Sequence, residues 1–180
     1  MFIHQIYLDI GGTELKDRPL WLESIEINKQ LNPNSQHILW DDEKVNKFIE
    51  EEVPEYIPII ESFPHKFYLI DFIRYCILYK YGGCYIDCDV RCKKSIEEFS
   101  TICGGVVGEN KINNNVIKLS KQQSYDLLQF SLSEYNRIKN NNLYSKWIGR
   151  KFLNSVSASM FARWCRRRNI VSEIEFGEYF

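Results

Sequence analysis

The chain has 180 residues, 44% of them apolar and 26% charged, which is ordinary for a folded soluble protein. Those fractions exclude wholesale disorder, collagen-like repeats and a coiled-coil rod. Lys and Arg number 23 against 24 Asp and Glu, a net charge of −1, so there is no global electrostatic case for nucleic acid or a membrane surface.

A chain of this length is expected to form one domain, burying roughly 70% of its unfolded surface without staples. No stretch approaches the ~18 apolar residues of a membrane span. Met1-Phe2-Ile3-His4-Gln5 lacks the basic and apolar regions of a signal peptide. The six cysteines, at 76, 84, 88, 92, 103 and 165, are too few for a disulfide scaffold. Free thiols and a cytoplasmic setting are therefore expected. Core packing accounts for most of the aromatic residues. The asparagine runs at 113–115 and 140–142 read as compositional bias that carries no chemistry.

In chain order, Phe2 to Leu8 is β-rich and runs into an Asp9-Ile10-Gly11-Gly12 turn. Pro19 to Leu31 reads as a helix carrying Leu20, Trp21, Leu22, Ile25 and Ile27, stopped by Asn32-Pro33. His37 to Trp40 is a second strand, and strand, helix, strand opens a parallel α/β sheet. Residues 41–62 hold eight acids and two lysines, which predicts a solvated helix followed by a Pro54/Pro58 connection. A long helix from Lys66 to Tyr81 ends at Gly82-Gly83, and a strand follows from Cys84 to Cys92. Val106 to Gly108 and Asn115 to Leu119 are further strands. Ser124 to Lys139 has the apolar spacing of an amphipathic helix, and Ser157 to Arg168 is the last helix.

The chemistry concentrates between Asp71 and Val90. On an extended Cys84–Cys92 strand the side chains alternate. Cys84, Ile86, Cys88 and Val90 then face a core, and Tyr85, Asp87 and Asp89 face away. Asp87 and Asp89 stand about 7 Å apart, from the ~3.3 Å rise per residue. Two acids at the C-terminal end of a strand in an α/β fold lie where ligands bind. Their hard oxygens suit Mg²⁺ or Mn²⁺, above all where a diphosphate completes the shell.

Asp-x-Asp alone is a weak signal, because two solvated acids at a strand end show the same pattern. Asp71 and Arg74, three apart on one helix face, strengthen it. They form either an i,i+3 ion pair or a carboxylate and guanidinium aimed at hydroxyls and phosphate oxygens. Cys84, Cys88 and Cys92 would lie roughly 13 Å apart per four-residue step, too far to share a zinc ion. His4 reads as a core histidine with its hydrogen bonds satisfied. Residues 143–180 hold seven bases and three acids. Within it Arg163-Trp164-Cys165-Arg166-Arg167-Arg168 is either a solvated helix face or one turned to an anionic acceptor or lipid headgroups.

Asp71-x-x-Arg74, the Leu78-Tyr79-x-x-Gly82-Gly83 stretch and Tyr85-x-Asp87-x-Asp89-Val90 resemble a known signature. It is the sugar-binding region with a DXD motif of glycosyltransferase family 32, typified by fungal α-1,6-mannosyltransferases and bacterial capsular transferases. Clostridial glucosylating toxins carry a related arrangement. Ile3-His4-Gln5-Ile6-Tyr7, Trp21, Asn32-Pro33 and Trp40 fit the same pattern, so the resemblance spans about residues 2–120. It implies an α/β, Rossmann-like GT-A fold in a single compact domain, followed by a helical, basic part over about 121–180.

The resemblance also implies retaining transfer of a hexose from a UDP- or GDP-sugar to a glycan, lipid or protein acceptor, with Mn²⁺ or Mg²⁺ as cofactor. By position, Asp89 is the direct metal ligand. Asp87 bridges ribose and donor sugar and touches the metal through water, and these two acids are the catalytic pair. Asp71 and Arg74 hold sugar hydroxyls. Tyr7 takes the place of the base-stacking aromatic, with Tyr85 as a second residue on the nucleotide side. Two family elements find no match: a Gly-Pro element, where Asn154-Ser155-Val156-Ser157 stands, and a closing His and Ser-Trp. Their absence motivates the alternative of a catalytically reduced module that binds sugar nucleotide or glycan. A toxin-like transferase acting on a protein side chain is the other alternative.

Overall fold

The computed structural model describes residues 1–104, 112–140, 157–173 and 180. Its strands are β1 (Phe2–Ile6), β2 (Gln36–Trp40), β3 (Cys84–Ile86), β4 (Ile102–Cys103) and β5 (Val116–Lys118), in one sheet of order β2-β1-β3-β5-β4. β1 runs parallel to both β2 and β3, with Ile3 opposite His37 on one side and Cys84 on the other. β5 is antiparallel to β3 and β4. The helices are α1 (Pro19–Leu31), α2 (Asp42–Glu52), the short α3 (Ile57–Ile60), α4 (Lys66–Tyr81), α5 (Lys121–Asn140) and α6 (Ala158–Arg168).

Local chemistry sets most of the boundaries. Pro19 opens α1, where its fixed φ suits a helix start, and the helix stops at Asn32 ahead of Pro33. Asp41 caps α2 by accepting from the Lys44 N–H at 2.9 Å. α4 ends at Gly82 and Gly83, with φ of 67° and 89°. A Cβ on Gly83 would meet the Phe2 carbonyl at 2.4 Å, so β3 reaches β1 only with glycine there.

The sheet is buried on both faces. Ile6, Trp40, Tyr85 and Ile117 pack with residues of α2, α4, α5 and α6. Ile3, Cys84, Ile86, Ile102 and Val116 pack on the other side with Cys92 and Ile96. α4 is enclosed, and Phe72 through Leu78 is buried without a break.

Three expectations change. β3 has three residues rather than nine. The Asp87 N–H still bonds the Asn115 carbonyl at 2.8 Å, but the Val90 N–H turns back onto the Asp87 carbonyl at 3.0 Å. The chain thus leaves the sheet at Asp87, and the alternation that set Asp87 and Asp89 on one outward face does not apply. Tyr85, expected to face away from the core, is buried. α1 buries Ser24, Ile25 and Asn28 and packs Leu31 on the second apolar cluster, while Leu20 and Leu22 stay exposed. Part of its inner face, at Asn28, meets the backbone of Val90 and Cys92 instead of apolar side chains.

The expected strand at Val106–Gly108 lies outside the described residues. α6 is laced to α5 through part of its basic face, while Arg166 to Arg168 stay exposed. Arg163 pairs with Glu134 at 2.9 Å, Arg168 with Asp126 at 2.7 Å, and Arg167 lies over the Phe130 ring. Among the described residues, no helix is long and apolar enough to cross a membrane.

His4 is a core histidine. Its Nδ1 accepts from Trp40 Nε1 at 3.2 Å, which leaves the Nε2 proton to bond the Gly82 carbonyl at 2.9 Å. Burial lowers its pKa to about 4, against the opposing pull of the Gly82 bond. The unfolded chain takes up this proton near pH 6.5 and the folded one only near pH 4, so the contribution is whole above 6.5 and is lost as pH falls toward 4. Urea unfolding between pH 7 and 4 is expected to show a loss on the order of 2–3 kcal/mol from this group, and His4→Gln should flatten that part of the profile.

Candidate active site

Arg74 stands at the centre, on the enclosed stretch of α4, with 5% of its side chain exposed. Its Nη2 lies 3.0 Å from Asp71 Oδ1 and its Nη1 3.3 Å from Asp87 Oδ1. Nη1 also donates to the Asn114 carbonyl at 2.6 Å, and Nε to the Ile70 carbonyl at 3.2 Å. The guanidinium carbon is 4.4 Å from the centre of the Tyr85 ring, whose hydroxyl donates to Asp87 Oδ1 at 2.5 Å. The Asn114 side-chain amide donates to Asp71 Oδ1 at 2.9 Å and to the Tyr75 hydroxyl at 3.1 Å. The i,i+3 ion pair is therefore one edge of a network joining α4, the end of β3 and the segment before β5.

Burial alone would lower the Arg74 pKa, but Asp87, Tyr85 and Asp71 outweigh it and hold the guanidinium above its usual range. Burial pushes the Asp71 and Asp87 carboxyls up. Arg74 opposes that shift at both, Asn114 at Asp71 and the Tyr85 hydroxyl at Asp87. Asp89 is different. It is exposed and, among the described residues, makes no hydrogen bond or ion pair.

A cavity of about 260 Å³ opens at the C-terminal ends of β1 and β3. Arg74, Asp87, Cys88 and Asp89 line one part of it, and Tyr7, Ile10, Trp21, Phe67 and Ile70 much of the rest. The Tyr7 ring meets Trp21 edge-on, centroids 5.7 Å apart, and its hydroxyl donates to the Thr13 carbonyl. Arg18 also lines the cavity, its guanidinium 5.5 Å from the Trp21 ring.

Of the residues selected from sequence, Tyr7, Arg74, Asp87 and Asp89 come together in this cavity. Asp71 stands beside Arg74 with 18% of its side chain exposed. Tyr85, expected on the nucleotide side, is 0% exposed with its hydroxyl committed to Asp87, so it supports the carboxylate from behind. Tyr7 is half-buried because it lies just past the end of β1, whose residues on both faces are buried, so strand alternation is not what exposes it.

Asn114 sits in a run expected to carry no chemistry, and that expectation is corrected. A buried bridging asparagine has no local mark that separates it from a loop asparagine. Arg18 and Phe67 carry no sequence signal either, and Trp21 stands out only as a landmark of the family pattern.

No group of three His, Cys, Asp or Glu side chains able to hold a metal occurs among the described residues. Asp89 and Asp87 offer hard oxygens for one or two positions only. That is the donor set with which Mg²⁺ binds when phosphates and water complete its shell, so the residues fit a cation shared with a diphosphate and not an all-protein cage.

Sheet order, the acid-bearing end of the central strand and the covering helices define a GT-A-type α/β fold. The solved structure of the PaToxG glycosyltransferase has this fold, with a TM-score of 0.60 at 16% identity, covering 93% of this chain and 68% of that one. Residues 19–103 match the family model described as glycosyltransferase sugar-binding region containing DXD motif.

Similar relatives include inositol phosphoceramide mannosyltransferase 3 of Schizosaccharomyces pombe, 32% identical over 111 residues, or 61% of this chain and 31% of the relative. Mannosyl phosphorylinositol ceramide synthase SUR1 of Saccharomyces cerevisiae is 36% identical over 96 residues, 53% of this chain and 24% of the relative. The match thus spans about a third or less of these relatives' own length.

Removing Arg74 would leave two partly buried carboxylates facing each other without a counter-charge. Arg74→Met is expected to cost about 3 kcal/mol at pH 7, and less at pH 5, because burial favours the protonated form of both carboxyls once the guanidinium no longer opposes it. Denaturant unfolding at the two pH values checks both the size and the direction.

Proposed function

We propose that this chain transfers a hexose from a nucleotide-diphosphate sugar to an acceptor hydroxyl. The observation that carries the proposal is one cavity joining a carboxylate and guanidinium end to an aromatic end, at the strand ends where α/β folds bind ligands. In this reading the nucleobase lies on Tyr7, with Trp21 fixing the ring from its edge. Arg74 and Asp71 take hydroxyls of the donor sugar, and Asp87 those of ribose and sugar. The cavity is smaller than the roughly 300–1,000 Å³ of sites that enclose a drug-sized ligand, so part of the donor extends beyond it toward the acceptor.

Asp89, with Asp87, would hold Mn²⁺ or Mg²⁺, which when bound neutralises the charge growing on the departing diphosphate. A covalent intermediate finds little support in the wall of the cavity. The Cys88 thiol donates to the Ile6 carbonyl at 3.3 Å, and burial pushes its pKa up to about 12. Asp87 is held by Tyr85 and Arg74. Retention is what the family resemblance implies. Without a covalent nucleophile it would proceed by front-face attack, the acceptor oxygen bonding the sugar carbon as the bond to the diphosphate breaks and the diphosphate oxygen taking the hydroxyl proton. The names of the fungal relatives make a mannosyl donor and an inositol phosphoceramide acceptor the first pair to test. A donor-hydrolysis assay with Mn²⁺ decides between transferase and binding module: released sugar supports the proposal, and binding without turnover refutes it.

Among the described residues Asp89 has no hydrogen-bond or ion-pair partner to lose. Asp89→Asn is expected to leave ligand-free stability within about 0.5 kcal/mol of wild type while abolishing Mn²⁺-dependent thermal stabilisation by UDP or GDP. An unchanged Mn²⁺-dependent shift would remove Asp89 from the site. For the base, Tyr7→Ala is expected to weaken nucleotide binding about 10-fold and Tyr7→Trp to preserve it, measured by calorimetry on the folded fraction. Intact affinity in Tyr7→Ala would reduce Tyr7 to a packing residue.

A further inference from the structure

We propose that Asn28 of α1 is a positioning residue for Asp89, an inference that rests on Asp89 being the cation-holding carboxylate. The inner face of α1 carries buried Ser24 and Asn28 beside Ile25, and Asn32 continues their four-residue spacing at the C-cap. Asn28 and Asn32 are both 0% exposed.

The bonds they make go to the segment just after Asp89. The Asn28 amide donates to the Val90 carbonyl at 2.9 Å and its oxygen accepts from the Cys92 N–H at 2.8 Å. On the other side of Asp89, the Asp87 N–H is held by the Asn115 carbonyl and the Val90 N–H by the Asp87 carbonyl. The backbone is thus tied on both flanks of a residue whose own side chain has no partner among those described. Asn32 acts further along: its oxygen accepts from the Ile96 N–H at 2.9 Å, and its amide donates to the Asn28 carbonyl at 2.8 Å. Lys118 reaches the Ile96 and Glu97 carbonyls at 3.0 and 3.1 Å.

Residues 87–97 form no strand or helix beyond the β3 end, so their buried backbone groups must find partners elsewhere. Asn28 supplies those nearest Asp89. A carboxylate on a fixed backbone gives up less freedom when it takes a cation than one on a loose loop, which is how a distant asparagine acts on ligand affinity.

The test titrates Mn²⁺ by calorimetry into wild type, Asn28→Ala and Asn32→Ala in the presence of UDP or GDP. Amide hydrogen exchange across residues 87–97 is followed in parallel. Asn28→Ala is expected to raise the half-saturating Mn²⁺ concentration about 10-fold, to speed exchange at Cys92, and to leave nucleotide affinity without Mn²⁺ unchanged. Asn32→Ala, which removes equally buried bonds farther from Asp89, should speed exchange at Ile96 and shift Mn²⁺ by less than about 3-fold. Equal Mn²⁺ shifts in the two variants, or none in Asn28→Ala, would overturn the proposal and leave Asn28 a purely structural residue. Should Asn28→Ala fail to fold, Asn28→Ser, with a smaller void and one short polar group, is read by the same criteria. A wild type whose nucleotide binding ignores Mn²⁺ fails the cation reading of Asp89 itself. A responsive wild type with an unshifted Asn28 variant fails this proposal alone.

Discussion

A guanidinium enclosed by protein must be answered by opposite charge and by hydrogen bonds, and Arg74 imposes that condition on its whole neighbourhood. Asp71 answers it from one helical turn earlier and Asp87 from the end of the central strand. Tyr85 offers a ring face and Asn114 a carbonyl. Because α4 is buried from Phe72 through Leu78, this stretch of the helix cannot move without breaking the set. One buried cation thereby fixes the base of the cavity and the orientation of Asp87 together.

The consequence is a difference in environment between two acids that look equivalent in the sequence. Asp87 is held by Arg74 and by the Tyr85 hydroxyl, its carboxyl shifted upward by burial. Asp89, two residues further on, is exposed and unengaged among the described residues. A held acid suits precise contact with hydroxyls, and a free one suits an ion that arrives with its ligand. On the opposite face of the sheet, beside the apolar cluster of Ile3, Cys84, Ile86 and Val116, Asn28, Asn32 and Lys118 bind the backbone between Val90 and Glu97. Two polar networks on different faces thus converge on the same short turn.

The cavity is assembled from chain inside and outside the recognised region. Residues 19–103 supply Trp21, Arg74, Asp87 and Asp89, whereas Tyr7 precedes that stretch; Asn114, which braces Arg74 without lining the cavity, lies beyond it. The aromatic end of the cavity therefore depends on β1, the strand that β2 and β3 flank on either side.

Much of the framework was legible in the order of residues, because local sterics decide it. Proline at the start of α1, Asn32-Pro33 at its end, and Gly82-Gly83 after α4 act within a few residues of themselves, and both helices run between those marks. The parallel opening of the sheet and the Asp71 to Asp89 cluster were equally visible. The features that only the tertiary structure decided depend on partners far along the chain. β3 ends after three residues because the Val90 N–H turns onto Asp87 while Asn28 binds the Val90 carbonyl and the Cys92 N–H. Tyr85 is buried because α4 lies over it, and Asn114 matters because Arg74 and Asp71 come to meet it. Periodicity reports which residues are near in sequence, whereas burial and hydrogen-bond satisfaction are settled between segments that meet only when the chain has folded.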